Sequence, residues 1–497
     1  MTITVDSRAD FTLENFRRVA VGRESARIGK VARGRMTAAR AGYLRLLEAE
    51  PGRLSSAATA GAPVPGTRTA AGQQPVSAMR DAGRLSLGDS FGSAELPDRA
   101  VRGIIFARLV DFVEGHTGSR AVVAEWVAGL LDGPAPRVPL GGETSPGEIV
   151  ALLHVMAGFQ GQGFEEAECE QILSGSPCSS ALAADVALQS PARLATAEQV
   201  FALSVEAMNA PLAAYHPALR KLWGDPYAAA ALDNLNRALA GAKDQRRAYQ
   251  APVSYRVLPR VLGQAHRAVA QVGEAARISL QSATSNSVYL APDEHYPEGR
   301  VLHTGGYHNA LAYPALDTLN AAFADLCTLC DRHTTKLHRE AVSLLPDMLV
   351  PPGADPWSTT ARLGFVQVGF AERARHAAAR TLLPPSQGGG YAGQDDVALP
   401  IFLAYENSLR AAGCLDACLA VLGVAASQSM YVTDRRPPAG LEDCLEIIRQ
   451  HVPPFRPGIP PRRRGDEIAR LAQAFGSAAL GRPDHAEAAA GAEIARS

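Results

Sequence analysis

Polar and apolar residues almost never alternate with period two along this chain, and that absence excludes a fold built on sheets. Cysteine is sparse too. Seven cysteines in 497 residues, an odd number, do not make a disulfide framework and fit a reducing compartment, the cytoplasm. Net charge is nearly missing: the formal value is −1, so no electrostatic footprint points to nucleic acid or a membrane surface. No run approaches the roughly 18 uncharged apolar residues of a membrane span. The opening MTITVDSRADFTLE lacks the apolar core of a signal peptide. Lysine is scarce beside arginine, which fits GC-rich coding better than a function.

What is present is apolar content, 47% hydrophobic at a mean hydropathy near zero, enough for a large core in a soluble chain. Helical apolar period runs through 98–115, 118–132, 197–209, 225–248, 253–285, 308–346, 358–382 and 397–427. This predicts an all-α fold. Segments 253–285 and 308–346 exceed the ~8–20 residues of ordinary globular helices, which implies bundle packing or inter-subunit contact. Residues 50–78, rich in Ala, Gly, Pro and Thr, read as a flexible, lid-like loop, and 476–497 as a solvated, flexible tail. No internal repeat shows. The expected organisation is an N-terminal region of mixed helix and loop over 1–200, a long-helix bundle over 201–475, and the tail.

Six short motifs follow one another at telling separations: FTLENFRRVAVGRE (11–24), LPDRAVRGIIFARLVDFVEGHTGSR (96–120), QAPVSYRVLPRVLG (250–263), SATSNSV (282–288), HTGGYHN (303–309) and QDDV (394–397). Together they resemble the aromatic amino-acid ammonia-lyases and aminomutases (histidine, phenylalanine and tyrosine ammonia-lyases among them) from about residue 11 to about 475. The resemblance implies an elongated bundle of long helices that assembles as a homotetramer, each active site drawn from three subunits.

The segment VPLGGETSPGEIVALLH (138–154) resembles the family's cofactor loop, roughly V-P-x-x-G-S-V-G-A-S-G-D-L-A-P-L-A-H. There Ala-Ser-Gly cyclises and dehydrates into methylidene-imidazolone, which needs a hydroxyl on the second residue and an amide N–H on the third. The loop 141–148 fails in either register. With Thr144-Ser145-Pro146 the attacking nitrogen belongs to proline, which has no N–H. With Ser145-Pro146-Gly147 the central residue has no hydroxyl. The second register is preferred because it sets Glu148 on the family's Asp and His154 on its His. No methylidene-imidazolone is expected, nor any other cofactor or metal.

Other family positions have changed as well. The catalytic tyrosine falls in LSSAATAGAPVPG (54–66), with Ser55 its nearest equivalent, and a serine hydroxyl is too weakly acidic to replace it unaided. The second tyrosine is Val253, the Glu-Asn pair is Leu280-Gln281, a histidine is Gly88 or Asp89, and an active-site Asn is Ser204. Arg256 matches the arginine that clamps the substrate carboxylate and is expected to be buried, since Arg holds carboxylates in a bidentate fork. An ion pair with Asp395 or Asp396 is the structural alternative. Gln250, Asn286, Gln394 and Asp395 also match the family.

Glu148 has two readings, an acid or base, or a helix cap in which Ser145 is the N-cap, Pro146 the first helical residue and Glu148 closes the box. His303, Tyr307 and His308 match a segment that lines the family's site. Cys327 and Cys330 lie within a helical apolar pattern and read as packing cysteines rather than a metal or redox pair. His333 and His338 read as surface or polar-core residues. The expectation is a cofactor-independent enzyme of specialised metabolism, acting through Glu148, Tyr255, His303, Tyr307 and His308. Its ligand would be a carboxylate-bearing, amino-acid-derived small molecule, and elimination, conjugate addition, cyclisation or isomerisation the accessible chemistry. The alternative is a non-catalytic homologue that binds a ligand or assembles with an active paralogue.

Overall fold

Apolar residues at helical spacing fold here as helices, but several predicted segments outrun them: 225–248 gives Pro226–Ala238, and 308–346 gives Ala312–Leu337. The computed structural model describes residues 1–49, 92–243, 245–247, 249–386, 396–458 and 464–481. The lid-like loop 50–78, with Ser55, and also Gly88, Asp89, Gln394 and Asp395, lie outside the described residues. The longer helices are α1 (Leu13–Ala20), α2 (Lys30–Ala49), α3 (Asp98–Val113), α4 (Ala121–Gly129), α5 (Pro177–Ala207) and α6 (Pro226–Ala238). They continue with α7 (Leu258–Leu280), α8 (Ala312–Leu337), α9 (Leu363–Ala377), α10 (Ile401–Val432), α11 (Glu442–His451) and α12 (Gly465–Gly481).

Strand pairing among the described residues is limited to two small pairs and isolated bridges. β1 (Thr2–Val5) runs parallel to β2 (Ser25–Ile28), and β3 (Val288–Leu290) antiparallel to β4 (Arg300–Leu302). The class is all-α.

The sequence pattern places a helix at 197–209, whereas α5 begins twenty residues earlier, at Pro177, and runs through Pro191. Proline removes one N–H from a helix interior, a local penalty that the burial of α5 outweighs. By length and composition α10 is long and apolar enough to cross a membrane, although 78% of its most apolar window is buried in the fold.

The described chain divides into two units, one of Met1–Val186, Val272–Pro314 and Arg380–Glu406, the other of Ala187–Gln271, Ala315–Ala379 and Asn407–Ser497. In the first, Asp6 Oδ1 accepts from the amides of Val31 (2.9 Å) and Ala32 (3.0 Å) and so caps α2. Every residue of α3 from Ala100 to Val113 is buried, including three charged ones. Arg102 donates to the carbonyls of Val19, Leu131 and Glu24. Arg108, fully buried, donates to Asp111 Oδ2 (2.5 Å), the Gln171 carbonyl (2.5 Å) and Ser285 Oγ (3.0 Å). Asp111 Oδ1 in turn accepts from the amides of Thr284 (2.5 Å) and Ser285 (2.9 Å). Thr284 Oγ1 then accepts from the Ser176 amide at 2.9 Å, just before α5. Gly175 sits in that turn at φ +95°, where a Cβ would stand 2.8 Å from Thr284 Oγ1.

The second unit is held by buried polar ties. Arg193 pairs with Asp416, and Glu206 lies between Arg246 (2.5 Å) and Arg435 (2.7 Å). Cys327 and Cys330 are buried free thiols on α8, in keeping with a packing role.

Replacing Arg108 with Met leaves Asp111 charged and buried without its partner. A loss of about 3–5 kcal/mol is expected for such a cut, read as a lowered chemical-denaturation midpoint. Asp111→Asn keeps an acceptor for the Thr284 and Ser285 amides but leaves the buried Arg108 guanidinium without its counter-charge, and should lower the midpoint as well. Equal midpoints for wild type and Arg108→Met would refute this account of the core.

Candidate functional site

The loop at 141–148 is built by its own residue types. Ser145 is the N-cap of a single 3-10 turn, Pro146–Glu148, with Pro146 at its first position, as the capping reading anticipates. Ser145 Oγ accepts from the Val150 amide (3.2 Å) and donates to Glu143 Oε1 (2.5 Å), which also accepts from the Ser145 amide (2.7 Å). Gly147 and Glu148 both turn left-handed, at φ 65° and 59°, before the short helix Ile149–Val155. A Cβ on Gly147 would lie 3.3 Å from the Tyr307 ring, so two constraints select glycine there.

Glu148 does not close a capping box on its own helix. Its carboxylate reaches α5 instead, where Oε2 accepts from the Cys178 amide (2.6 Å) and Oε1 from the Ser179 amide (2.8 Å) and the Ser179 hydroxyl. A helix N-terminus offers unpaired amides and favours negative charge, so the cap belongs to α5. Burial pushes the Glu148 carboxyl up to about 7, against the pull of Ser179 and Cys178. Glu143 is buried as well and shifted upward by the same cause, opposed by Ser145 and by the Ala151 amide. Its Oε2 nevertheless has no hydrogen bond of proper geometry. Burial and the two carboxylates hold the Cys178 thiol well above its ordinary value.

The first unit brings further predicted residues to this loop. The Leu399 amide donates to the Thr144 carbonyl at 3.4 Å, and His308 Nε2 lies 3.3 Å from the Ala398 carbonyl. Asn309 donates to Ser279 Oγ (2.9 Å), and Ser180 Oγ to the Ser279 carbonyl (3.1 Å). Glu148, Tyr307 and His308 thus belong to one neighbourhood with 144–147. His303 is exposed, and Asn286, also exposed, accepts from the Thr304 amide at 2.8 Å.

Ser204, Gln250, Tyr255 and Arg256 lie in the second unit. Tyr255 is fully buried, stacked on His333 at 3.7 Å, and Ser204 Oγ is 2.9 Å from His333 Nδ1. Burial drives the His333 imidazole down to about 3 and the Tyr255 phenol upward. This is a neutral polar core, as one of the two readings of His333 has it. Arg256 is exposed, not buried, and its Nε donates to the Ala251 carbonyl at 3.0 Å. It ends the short helix Val253–Arg256, which turns it to the surface of this unit, so the expected buried clamp is corrected. Gln250 is exposed too. A groove of about 460 Å³ between Arg373 on α9 and Arg410 on α10 contains none of these residues.

Glu143, Cys178 and Ser179 escaped the sequence reading. The two acids of GGETSPGE, five residues apart, were the available signal for Glu143. Nothing in the sequence ties SPCSS at 176–180 to that loop.

A family model described as aromatic amino acid lyase matches residues 157–450. The chain belongs to the aromatic amino acid lyases. It is 26% identical over 444 residues to histidine ammonia-lyase of Deinococcus radiodurans, covering 78% of this chain and 81% of the relative. In fold it is similar to the ergothioneine-degrading ergothionase of Treponema denticola, with a TM-score of 0.78, 18% identity, and coverage of 97% of this chain and 100% of that one. Histidine ammonia-lyase of Trypanosoma cruzi gives a TM-score of 0.78 at 17% identity, covering 99% and 96%.

Because the folded Glu148 carboxyl titrates above its ordinary 4.5, its stabilising contribution is complete below 4.5 and is lost as pH rises through about 7. Melting temperature across that window should fall less steeply in Glu148→Gln than in wild type. Parallel curves for the two proteins would contradict the assignment.

Proposed function

We propose that this aromatic amino acid lyase works without methylidene-imidazolone, by acid–base chemistry on a carboxylate-bearing, amino-acid-derived substrate. The carrying observation is the buried Glu148 carboxyl, raised to about 7, in the loop where the family makes its electrophile. A carboxyl tuned to near neutrality exchanges protons efficiently at working pH. The residues present do not fit the prosthetic group. Pro146 has no N–H to attack with, and the Ser145 hydroxyl is already engaged by Glu143 and the Val150 amide.

In this reading Glu148 holds the proton, with Ser179 as its hydrogen-bonding partner and Tyr307 and His308 flanking the loop. Elimination, conjugate addition, cyclisation and isomerisation are the reactions that proton transfer and positioning alone can serve. In the second unit, exposed Arg256 is proposed to bind a ligand carboxylate, beside Gln250, and the working form is proposed to be a cytoplasmic homotetramer.

A second reading has its own support. Both Glu148 oxygens are taken up by the start of α5, as a purely structural cap would have them, and this favours a non-catalytic homologue.

Intact-mass measurement comes first, and the expected mass is that of the unmodified chain; a deficit of two waters sinks the cofactor-free reading. Purified protein is then screened by mass spectrometry against aromatic and polar amino acids and their enoic acids. Glu148→Gln should abolish turnover if Glu148 is the acid or base, whatever melting temperature it loses as a cap of α5. Lowered melting temperature, with no wild-type turnover to lose, would select the structural cap. Arg256→Met should weaken carboxylate ligands about tenfold or more, and unchanged affinity removes Arg256 from the site.

A further inference from the structure

The groove between α9 and α10 is lined by two arginines and a histidine and by no acid. Its volume is about 460 Å³, the size of a small-molecule site, and both walls belong to the second unit. Helical spacing builds the walls. Phe370, Arg373 and His376 follow one another at intervals of three on α9, while Leu409, Arg410, Gly413 and Cys414 share one face of α10. Arg373 lies over the Phe370 ring, 6.0 Å from its centroid. Of the acids nearby in sequence, Glu372 pairs with Arg375, and neither Glu372 nor Glu406 lines the groove. Cys414 is buried at the floor. Burial and Cys418 push its thiol up to about 11, whereas Arg373 and Arg410 pull it down, so both guanidinium charges are felt there.

We propose that this groove binds an aromatic oxyanion, its carboxylate or phosphate head held by Arg373 and Arg410 and its ring resting against Phe370 and Leu409. The site lies in the second unit, whereas the 141–148 loop belongs to the first, and the binding stands whether or not the loop is catalytic. A guanidinium is weakly hydrated and grips an oxyanion through paired, charge-assisted hydrogen bonds. It carries five N–H donors, so a neighbour that shares one arginine leaves donors for the ligand. The half-buried Phe370 and Leu409 give an apolar body a surface to cover.

Room and charge select the ligand together. Gly413 is exposed, and a Cβ there would meet open space, so a missing side chain keeps the groove open. An ammonium on the ligand would face two guanidiniums and be repelled. The groove therefore favours an aromatic acid over the amino acid with the same ring, the reverse of a site built for amino acids.

Titration calorimetry on the full-length protein tests this. The probes are 3-phenylpropionate, phenyl phosphate, L-phenylalanine, neutral 3-phenyl-1-propanol and inorganic phosphate. The expected result is binding of at least one aromatic anion, with the alcohol, the amino acid and inorganic phosphate each weaker by about tenfold or more. The tighter of the two aromatic anions identifies the head. Arg373→Gln removes one exposed charge and should weaken that anion about tenfold at unchanged melting temperature. Gly413→Leu keeps both charges, fills the groove and should abolish binding, while melting temperature holds or rises because leucine favours a helix. No binding of either aromatic anion, equal binding of the alcohol, or unchanged affinity in either variant overturns the proposal. Affinity lost in Arg256→Met and kept in Arg373→Gln would move the ligand to Arg256 and overturn it as well. Light scattering on Gly413→Leu adds a last outcome. A changed assembly mass with probe affinity intact would give the groove to a second copy of the chain instead.

Discussion

The buried pair of Arg108 and Asp111 is the interaction on which the site's architecture hangs. Both lie on α3, with every neighbour from Ala100 to Val113 buried, so the helix is fixed before any polar group is counted. The guanidinium then holds the 171 carbonyl and Ser285, and the carboxylate holds the amides of Thr284 and Ser285. Thr284 passes the constraint to the Ser176 amide, which sets where α5 starts. Two residues further on, the first amides of α5 meet Glu148. Burial works against the Arg108 charge, and only the facing Asp111 and the polar contacts around the pair make its position tenable.

That chain of contacts explains how a loop without its cyclising tripeptide keeps its place. In the family the loop reacts with itself; in this sequence it is clamped from outside. Glu148 caps α5, while Ser145 joins Glu143 to the Val150 amide of the short helix that follows. The arrangement gathers two buried acids, with His308 flanking the loop. Burial raises both carboxyls, and that shared shift, more than any single contact, separates this loop from an ordinary helix cap.

Much of the fold was legible because helical periodicity is local. The segment 98–115 became Asp98–Val113, and 397–427 became Ile401–Val432. What periodicity misses is tertiary override. The serines at the front of α5 and Pro191 in its middle weaken the local helix signal, yet burial holds that stretch helical. The site was legible in part. Pro146 forbids the family chemistry from sequence alone, since a missing N–H needs no coordinates. Where a carboxylate points does need them. Glu148 was readable as a cap, but its partners lie thirty residues away on α5, and only its spacing to Glu148 marked Glu143. Arg256 teaches the converse, for a matching motif residue carries no information about burial.

Backbone conformation supplies the last step. Glu148 is left-handed at φ 59°, a conformation that disfavours any residue with a Cβ by about 1–2 kcal/mol and that glycine would adopt freely. Gly147 beside it shows that the loop uses glycine where conformation and the Tyr307 ring are the only demands. At 148 the sequence accepts the strain in order to place a carboxylate against α5, where charge-assisted hydrogen bonds from two amides and a hydroxyl offset it. A strained residue kept in place by its side chain marks a position where that group is needed.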